Sequence, residues 1–358
     1  MERPVSILKW MSLALLASLP TLAVAQYTVV LDHLNSPRGL SFGPDGSLYV
    51  AQAGAGGDTG KITKIADPYA ANPTATDILT GLISVGEVAP NQYVGVDGIS
   101  ALGNGNIYSI MAVSSHEGPA PLGHLLKVSQ GGQVRDVANV GDFDYAWSSE
   151  HIDLAPHDFP DSNPYGVLAL PGAIYVANAG TNTLDLVRPD GSEQILAFFP
   201  NNVIADSTPT CIAQGPDGAL YIGILALRDS IALGPSAKVY RVDPAAANPD
   251  DLNTVKNLAT LWASNLWPIN GCAFGPDGSF YASQYFTSAP PPAHGDVVKI
   301  PFNNPDQHIF LTGGKLMFPG GVAVGADGSV FVSNGSVLSM NNGQVVPNNG
   351  QVVRLTSQ

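Results

Sequence analysis

The chain has 358 residues, 45% of them hydrophobic and 12% charged, with 39 glycines, 29 prolines and a formal net charge of −14. This composition is too apolar for a disordered chain and too rich in glycine and proline for a long helical bundle, so many short strands joined by turns are expected. The acidity argues against nucleic acid or an anionic membrane as partner, since both reward stripes of Lys and Arg, and is otherwise read as solubility.

Residues 1–25 read as a secretory signal peptide. Arg3 and Lys9 supply a positive start, Met11 to Leu22 an apolar run, and Ala23-Val24-Ala25 the small residues of a cleavage site. The run is too short to span a bilayer, and no other stretch reaches the length of a transmembrane segment. The expectation is an exported monomer, periplasmic or secreted, with residues 26–358 forming one domain.

One phrase then recurs six times: SPRGLSFGPDGSLYVAQAG (36–54), VDGISALGNGNIYSI (96–110), NPYGVLALPGAIYVANAG (163–180), TPTCIAQGPDGALYIG (208–223), PINGCAFGPDGSFYAS (268–283) and FPGGVAVGADGSVFVS (318–333). Four copies carry Asp-Gly, one Asn-Gly and one Pro-Gly, with turn glycines at Gly46, Gly105, Gly172, Gly218, Gly278 and Gly328. Asp-Gly and Asn-Gly between alternating apolar runs mark a hairpin, because glycine supplies the positive φ of the turn. Two further strands are expected behind most copies: Lys61–Ile65 with Asp77–Leu79, Leu125–Val128 with Val134–Val137, and Leu184–Val187 with Gln194–Phe198. Lys238–Val242 with Val255–Leu258 and Val297–Ile300 with His308–Leu311 continue the series.

Repeated units of four antiparallel strands describe the blades of a β-propeller. The sixth copy is one strand short, because Gln351–Leu355 is followed by the chain end. Tyr27–Leu31 is the missing partner and would close the ring into a six-bladed all-β propeller. Within the first strands, Leu40, Phe42, Cys272, Phe274, Val322 and Val324 alternate with Ser41, Ala213, Ala273 and Ala323, so bulky faces can nest on the small faces of neighbouring blades. Cys211 and Cys272 lie in adjacent first strands one repeat position apart, which allows either an inter-blade disulfide or two buried thiols.

The P-x-G-φ-x-F-G-P-D-G-x-L-Y-V-A phrase (φ apolar) is similar to NHL-type and gluconolactonase-type propeller repeats. Residues 34–57, 162–180 and the hairpin at 209–223 with SAKVYRVDP (236–244) together resemble the ScyD/ScyE family of exported bacterial propellers, over essentially the whole mature chain. That resemblance implies a periplasmic or secreted protein, and for some members a metal-assisted oxidative step. Resemblance to the gluconolactonase type implies a divalent ion held by ring residues, for which Asp97 (in VDG) and Asn270 (in PING) stand at the matching positions. Where that family has a glutamate early in the first blade, this chain has Arg38.

One mouth of the axial channel is where the first strands begin. The residue at or just before each repeat glycine is read around a ring there: Arg38, Asp97, Tyr165, Thr210, Asn270 and Gly320. Second strands end with Gln52, Ser109, Asn178, Gln284 and Asn334. Arg38 either pairs with Asp97 or holds a substrate carboxylate. The insertion at 142–166 carries six carboxylates with His151 and His157. It is read as a long loop, either a solvated acidic face or a source of ligands and a general base. Trp147, Trp262 and Trp267 are placed in loops of the same face, to stack on a ligand or to anchor the core. Pro290-Pro291-Pro292 reads as a stiff loop. No GxSxG, P-loop, CxxC or HExxH motif is present.

Two functions follow. The first is a metal-assisted enzyme performing oxidative coupling or ester/lactone hydrolysis on a small molecule. Asp97, Asn270 and Glu150 would ligate a divalent ion, calcium or a transition metal, and His151, His157 and Arg38 would act on a substrate bound by Tyr165, Trp147, Gln52, Asn178, Gln284 and Asn334. The second is a non-catalytic propeller binding a glycan, a peptide or an envelope partner, which the amide ring favours because amides neither titrate nor attack.

Overall fold

In the computed structural model, which describes residues 26–86, 91–129, 131–289, 294–342 and 344–356, each repeat phrase is a hairpin. The expected leader at 1–25 and the Pro290–Pro292 run lie outside the described residues. At the first turn Gly43 N–H bonds Ser47 O at 2.8 Å and Gly46 N–H bonds Gly43 O at 3.0 Å. Gly46, at φ 78°, occupies the left-handed position of a three-residue loop. Asp45 is needed beside it because its carboxylate accepts the Ser47 N–H at 3.1 Å and pairs with Lys64 of the third strand at 2.7 Å. The same arrangement recurs at Asp217 with Arg241 and at Asp277 with Lys299.

Six sheets of four or five antiparallel strands form the blades. Blade 1 runs Pro37–Phe42, Leu48–Gln52, Gly57–Ala66 and Thr74–Gly86. Blade 2 has Val96–Ala101, Ile107–Met111, His124–Val128 and Val134–Asn139; blade 3 has Pro164–Leu170, Ala173–Asn178, Thr183–Val187 and Glu193–Phe198. Blade 6 combines Val322–Val324, Val330–Asn334 and Gly350–Thr356 with the N-terminal strand Gln26–Leu34, whose Val29 stands opposite Val353. This is the expected closure. It removes the edge that the last blade would otherwise expose.

Six of the core clusters among the described residues are each shared by two adjacent blades. Between blades 6 and 1, for example, Ala323, Phe331 and Val352 pack with Leu40, Leu48 and Ile65. Between blades 4 and 5, Ala213 and Tyr221 pack with Phe280 and Phe274. Small residues on one sheet thus receive large ones from the next. Cys211 and Cys272 are joined by a disulfide across this last interface, with Cα atoms 5.7 Å apart.

Two segments differ from the sequence reading. Val255–Leu258 is not the fourth strand of blade 4. Leu252–Asn257 is a helix, and the strand is Thr260–Leu266. Asp251 caps that helix by accepting the Asn253 N–H and the Thr254 hydroxyl, while Val255 is buried against Phe198 and Ile195. In the insertion, Val140–Glu150 is a helix rather than a loop; it is called α1, with Leu227–Leu233 as α2 and Leu252–Asn257 as α3. Asn139 caps α1 by accepting the Asp142 N–H. Its inward stripe is Val140, Phe143, Asp144, Trp147, Ser148 and His151, a helical spacing. Three polar residues in that stripe, Asp144, Ser148 and His151, hide the pattern from a hydrophobic count.

Candidate functional site

Five of the six ring positions converge at the waist of the channel. Arg38, Asp97, Tyr165, Thr210 and Asn270 line it together, with Gly321 from blade 6. They converge because every first strand starts at the axis. A residue at the same register in each blade therefore meets its counterparts.

Arg38 is 7% exposed. Its Nε faces Asp97 Oδ1 at 3.8 Å, Nη2 donates to Tyr93 O at 2.7 Å, and Nη1 donates to the Tyr165 hydroxyl at 3.2 Å. That hydroxyl in turn donates to Asn270 Oδ1 at 2.8 Å, and Asn270 Nδ2 donates to Pro319 O at 3.2 Å. One hydrogen-bonded chain thus ties blades 1, 3 and 5 across the axis. Above it opens a cavity of about 150 Å³, with Arg38, Tyr165, Thr210 and Asn270 as polar floor and Leu225, Leu227 and Val337 as apolar wall. A polar floor under apolar walls suits a small molecule with one hydrogen-bonding end.

The amides expected at this mouth are elsewhere. Gln52, Asn178 and Gln284 are fully buried, Asn334 is nearly so, and none lines either cavity. Three of them clasp the chain that leads into their blade: Gln52 Oε1 accepts the Asn35 N–H, Asn178 Oδ1 the Asn163 N–H, and Asn334 Oδ1 the Met317 N–H. The residues just past them face the cavity instead, Ala179 after Asn178 and Tyr285 after Gln284. Side chains alternate along a strand, so an offset of one residue exchanges mouth for interior. Gln92, Tyr285 and the 225–227 segment were missed for this reason and because they sit outside the repeat phrase.

Only the end of the insertion, Asn163 and Tyr165, reaches the mouth; its helix does not line it. Trp147 packs on Phe159 and Phe198, and His151 stacks on Trp147 while its Nδ1 bonds Trp147 O at 2.8 Å. Both line a lateral groove between α1, blade 3 and α3. Glu150 and His157 are exposed and line neither mouth cavity. Trp262 sits in the blade 4–5 core with Tyr221 and Phe280, and Trp267 packs on Phe286. The second-to-third-strand histidine His116 stacks on Tyr145 of α1.

No known family's sequence profile matches this chain, and no curated protein sequence matches it. Among solved structures it is similar to a gluconolactonase from Xanthomonas campestris, at 10% identity, 93% coverage of this chain, 90% of that chain and a TM-score of 0.57. It is also similar to the calcium-binding protein regucalcin from Agrobacterium tumefaciens, at 13% identity, 92% and 93% coverage and a TM-score of 0.55. A third is virginiamycin B lyase from Staphylococcus aureus, at 13% identity, 93% and 99% coverage and a TM-score of 0.50. At these identities the shared property is the six-bladed fold.

The ring does not suit the divalent ion expected of Asp97 and Asn270. Asn270 Oδ1 already accepts the Tyr165 hydroxyl, and Asp97 faces a guanidinium that would repel a cation. Glu150 stands on the exposed end of α1. Among the described residues, no three His, Cys, Asp or Glu side chains gather to hold a metal.

Proposed function

We propose that this is an exported propeller that binds a small organic molecule at the channel mouth through a carboxylate or ester carbonyl placed on Arg38, beside the Tyr165 ring. The Arg38–Tyr165–Asn270 chain under the mouth cavity carries this reading. It holds a guanidinium in place, through Tyr165 and Tyr93, under a space with apolar walls. A guanidinium fixed in this way recognises an oxygen-bearing group without needing to reorganise. Export rests on the leader at 1–25, and the disulfide between blades 4 and 5 supports it. The ScyD/ScyE resemblance is compatible with both location and fold. Its metal-assisted oxidative step finds no suitable donor set in the ring, so no step is routed through a metal there.

A second reading is favoured by the same guanidinium. A positive charge beside the acceptor oxygen also stabilises the charge that develops when water attacks a lactone carbonyl. Titration calorimetry with a six-carbon sugar δ-lactone and its open-chain acid tests both readings, with lactone opening followed by base consumption. Binding of either compound that disappears in Arg38→Met supports the site. Turnover that disappears with it makes the protein a lactonase. If neither compound binds, or Arg38→Met binds as well as the native protein, the mouth is not the site for such ligands.

A further inference from the structure

Under α1 lies a second polar pocket that the mouth does not use. Asp144 on α1 meets Asp185 on the third strand of blade 3, within hydrogen-bonding reach. Thr181 stands beside Asp144 and Thr183 beside Asp185, and all four side chains have no exposed surface. Asn178 Nδ2 donates to one oxygen of Asp144. Asp144 Oδ1, both carboxylate oxygens of Asp185 and the hydroxyls of Thr181 and Thr183 have no hydrogen-bond partner. Among the described residues, no Lys, Arg or His forms an ion pair with either aspartate.

Two buried carboxylates without compensation are costly, and several unpaired buried oxygens compound the cost. A single proton shared by the aspartates, with Thr181 turned to Asp144 and Thr183 to Asp185, would still leave one negative charge in a pocket with no exposed surface. An ion with several oxygen ligands answers the whole set. Hard cations such as calcium take carboxylate and neutral oxygen ligands together in irregular geometry.

We infer that Asp144, Asp185, Thr181 and Thr183 bind one divalent cation of the calcium class, bridging α1 and blade 3. The site is separate from the mouth and does not depend on what binds there. It is nonetheless joined to the mouth by Asn178. This amide donates to Asp144 and to Ser162, and its oxygen accepts the N–H of Asn163, next but one to Tyr165. The cation would fix the segment that delivers Asn163 and Tyr165 to the cavity. Asp144 and Asp185 are positioning residues in that respect.

The test is calorimetric titration of chelator-treated mature protein with calcium chloride, paired with thermal melting at rising calcium. One calcium per chain is expected, with a dissociation constant on the order of 0.1 mM as in extracellular modules, and a melting temperature that climbs with calcium. Asp185→Asn should weaken binding by about tenfold or more, and Thr183→Val by less. Asp97→Asn should leave calcium affinity unchanged, which separates this site from an ion at the ring. Failure of the native protein to bind calcium, at up to about 100 times that concentration, overturns the assignment. So does unchanged affinity in both Asp185→Asn and Thr183→Val. If Asp185→Asn does not fold, the native titration and the near-isosteric Thr183→Val variant still decide.

Discussion

At the mouth, Arg38 stands against Asp97, and Tyr165 and Asn270 continue its hydrogen bonds to the opposite side of the ring. Under α1, Asp144 and Asp185 meet, and among the described residues no Lys, Arg or His pairs with either. Both regions are buried and polar, yet their histories in the chain differ. The ring comes from one register position repeated in each blade, filled by residues that complement one another across the axis. The α1 pocket combines an insertion with one blade, so nothing in the repeat obliges its charges to balance. The difference teaches where to look for ligands in a repeat fold. A self-satisfied cluster presents donors to a cavity above it, whereas an unbalanced one calls for a counter-ion within it.

Four experiments break or sharpen this contrast. The waist of the channel is tied covalently, since Cys211 and Cys272 line it and bridge residues 61 apart, while α1 has no such tie. Reduction, or the Cys211→Ser/Cys272→Ser double variant, should lower unfolding free energy by about 4 kcal/mol by chemical denaturation. A loss under about 1 kcal/mol would show that blade packing alone holds the waist.

Arg38→Met should cost about 3 kcal/mol, because it leaves the Asp97 carboxylate buried without its guanidinium. Adding Asp97→Asn should recover most of that stability without restoring ligand binding. Were the double variant no more stable than the single, charge balance would not be what Arg38 contributes.

Asp161 lies on the segment between α1 and Tyr165. Burial pushes its carboxyl up, the Ser162 N–H offsets part of this, and Asp206, Glu117 and Asp158 add to the rise, to about 6. The folded protein therefore holds the proton at pH values where the unfolded chain has released it. The stability contributed is complete below pH 3.8 and is lost as pH rises through about 6. Denaturation across this window should show a loss of about 2 kcal/mol, which Asp161→Asn removes. A pH slope equal in the variant and the native protein would assign the effect to other groups.

Asn139→Ala, which deletes the α1 cap, should have the smallest effect, about 1 kcal/mol. Hydrogen exchange should show the loss concentrated in α1 while the ring stays protected. Uniform loss across the blades would mean that α1 and the propeller unfold as one unit.

Much of the architecture was legible because a period-two pattern with a turn glycine leaves few alternatives, and because six copies of it repeat the message. The ring at Arg38, Asp97, Tyr165, Thr210 and Asn270 was legible for the same reason: equivalent positions in a closed array must meet. Gln52, Asn178, Gln284 and Asn334 are displaced from the mouth by one step of strand parity, which makes internal side chains, three of them clasps, look like a binding surface. Val255–Leu258 reads as strand by its place in the repeat series, although Asp251 carries the local signal for a helix start.

From the sequence alone come the number of blades, their closure by the N-terminal strand and the register that brings five polar residues to the axis, since these depend on local periodicity and counting. Three-dimensional packing decided which polar groups find partners. Asn270 gives its oxygen to Tyr165, Asp97 faces Arg38, and Asp144 is carried by α1 onto Asp185. Such pairings join residues tens of positions apart, and the strength of each depends on an approach of a few ångströms in a desolvated interior. No pattern along the chain encodes that distance.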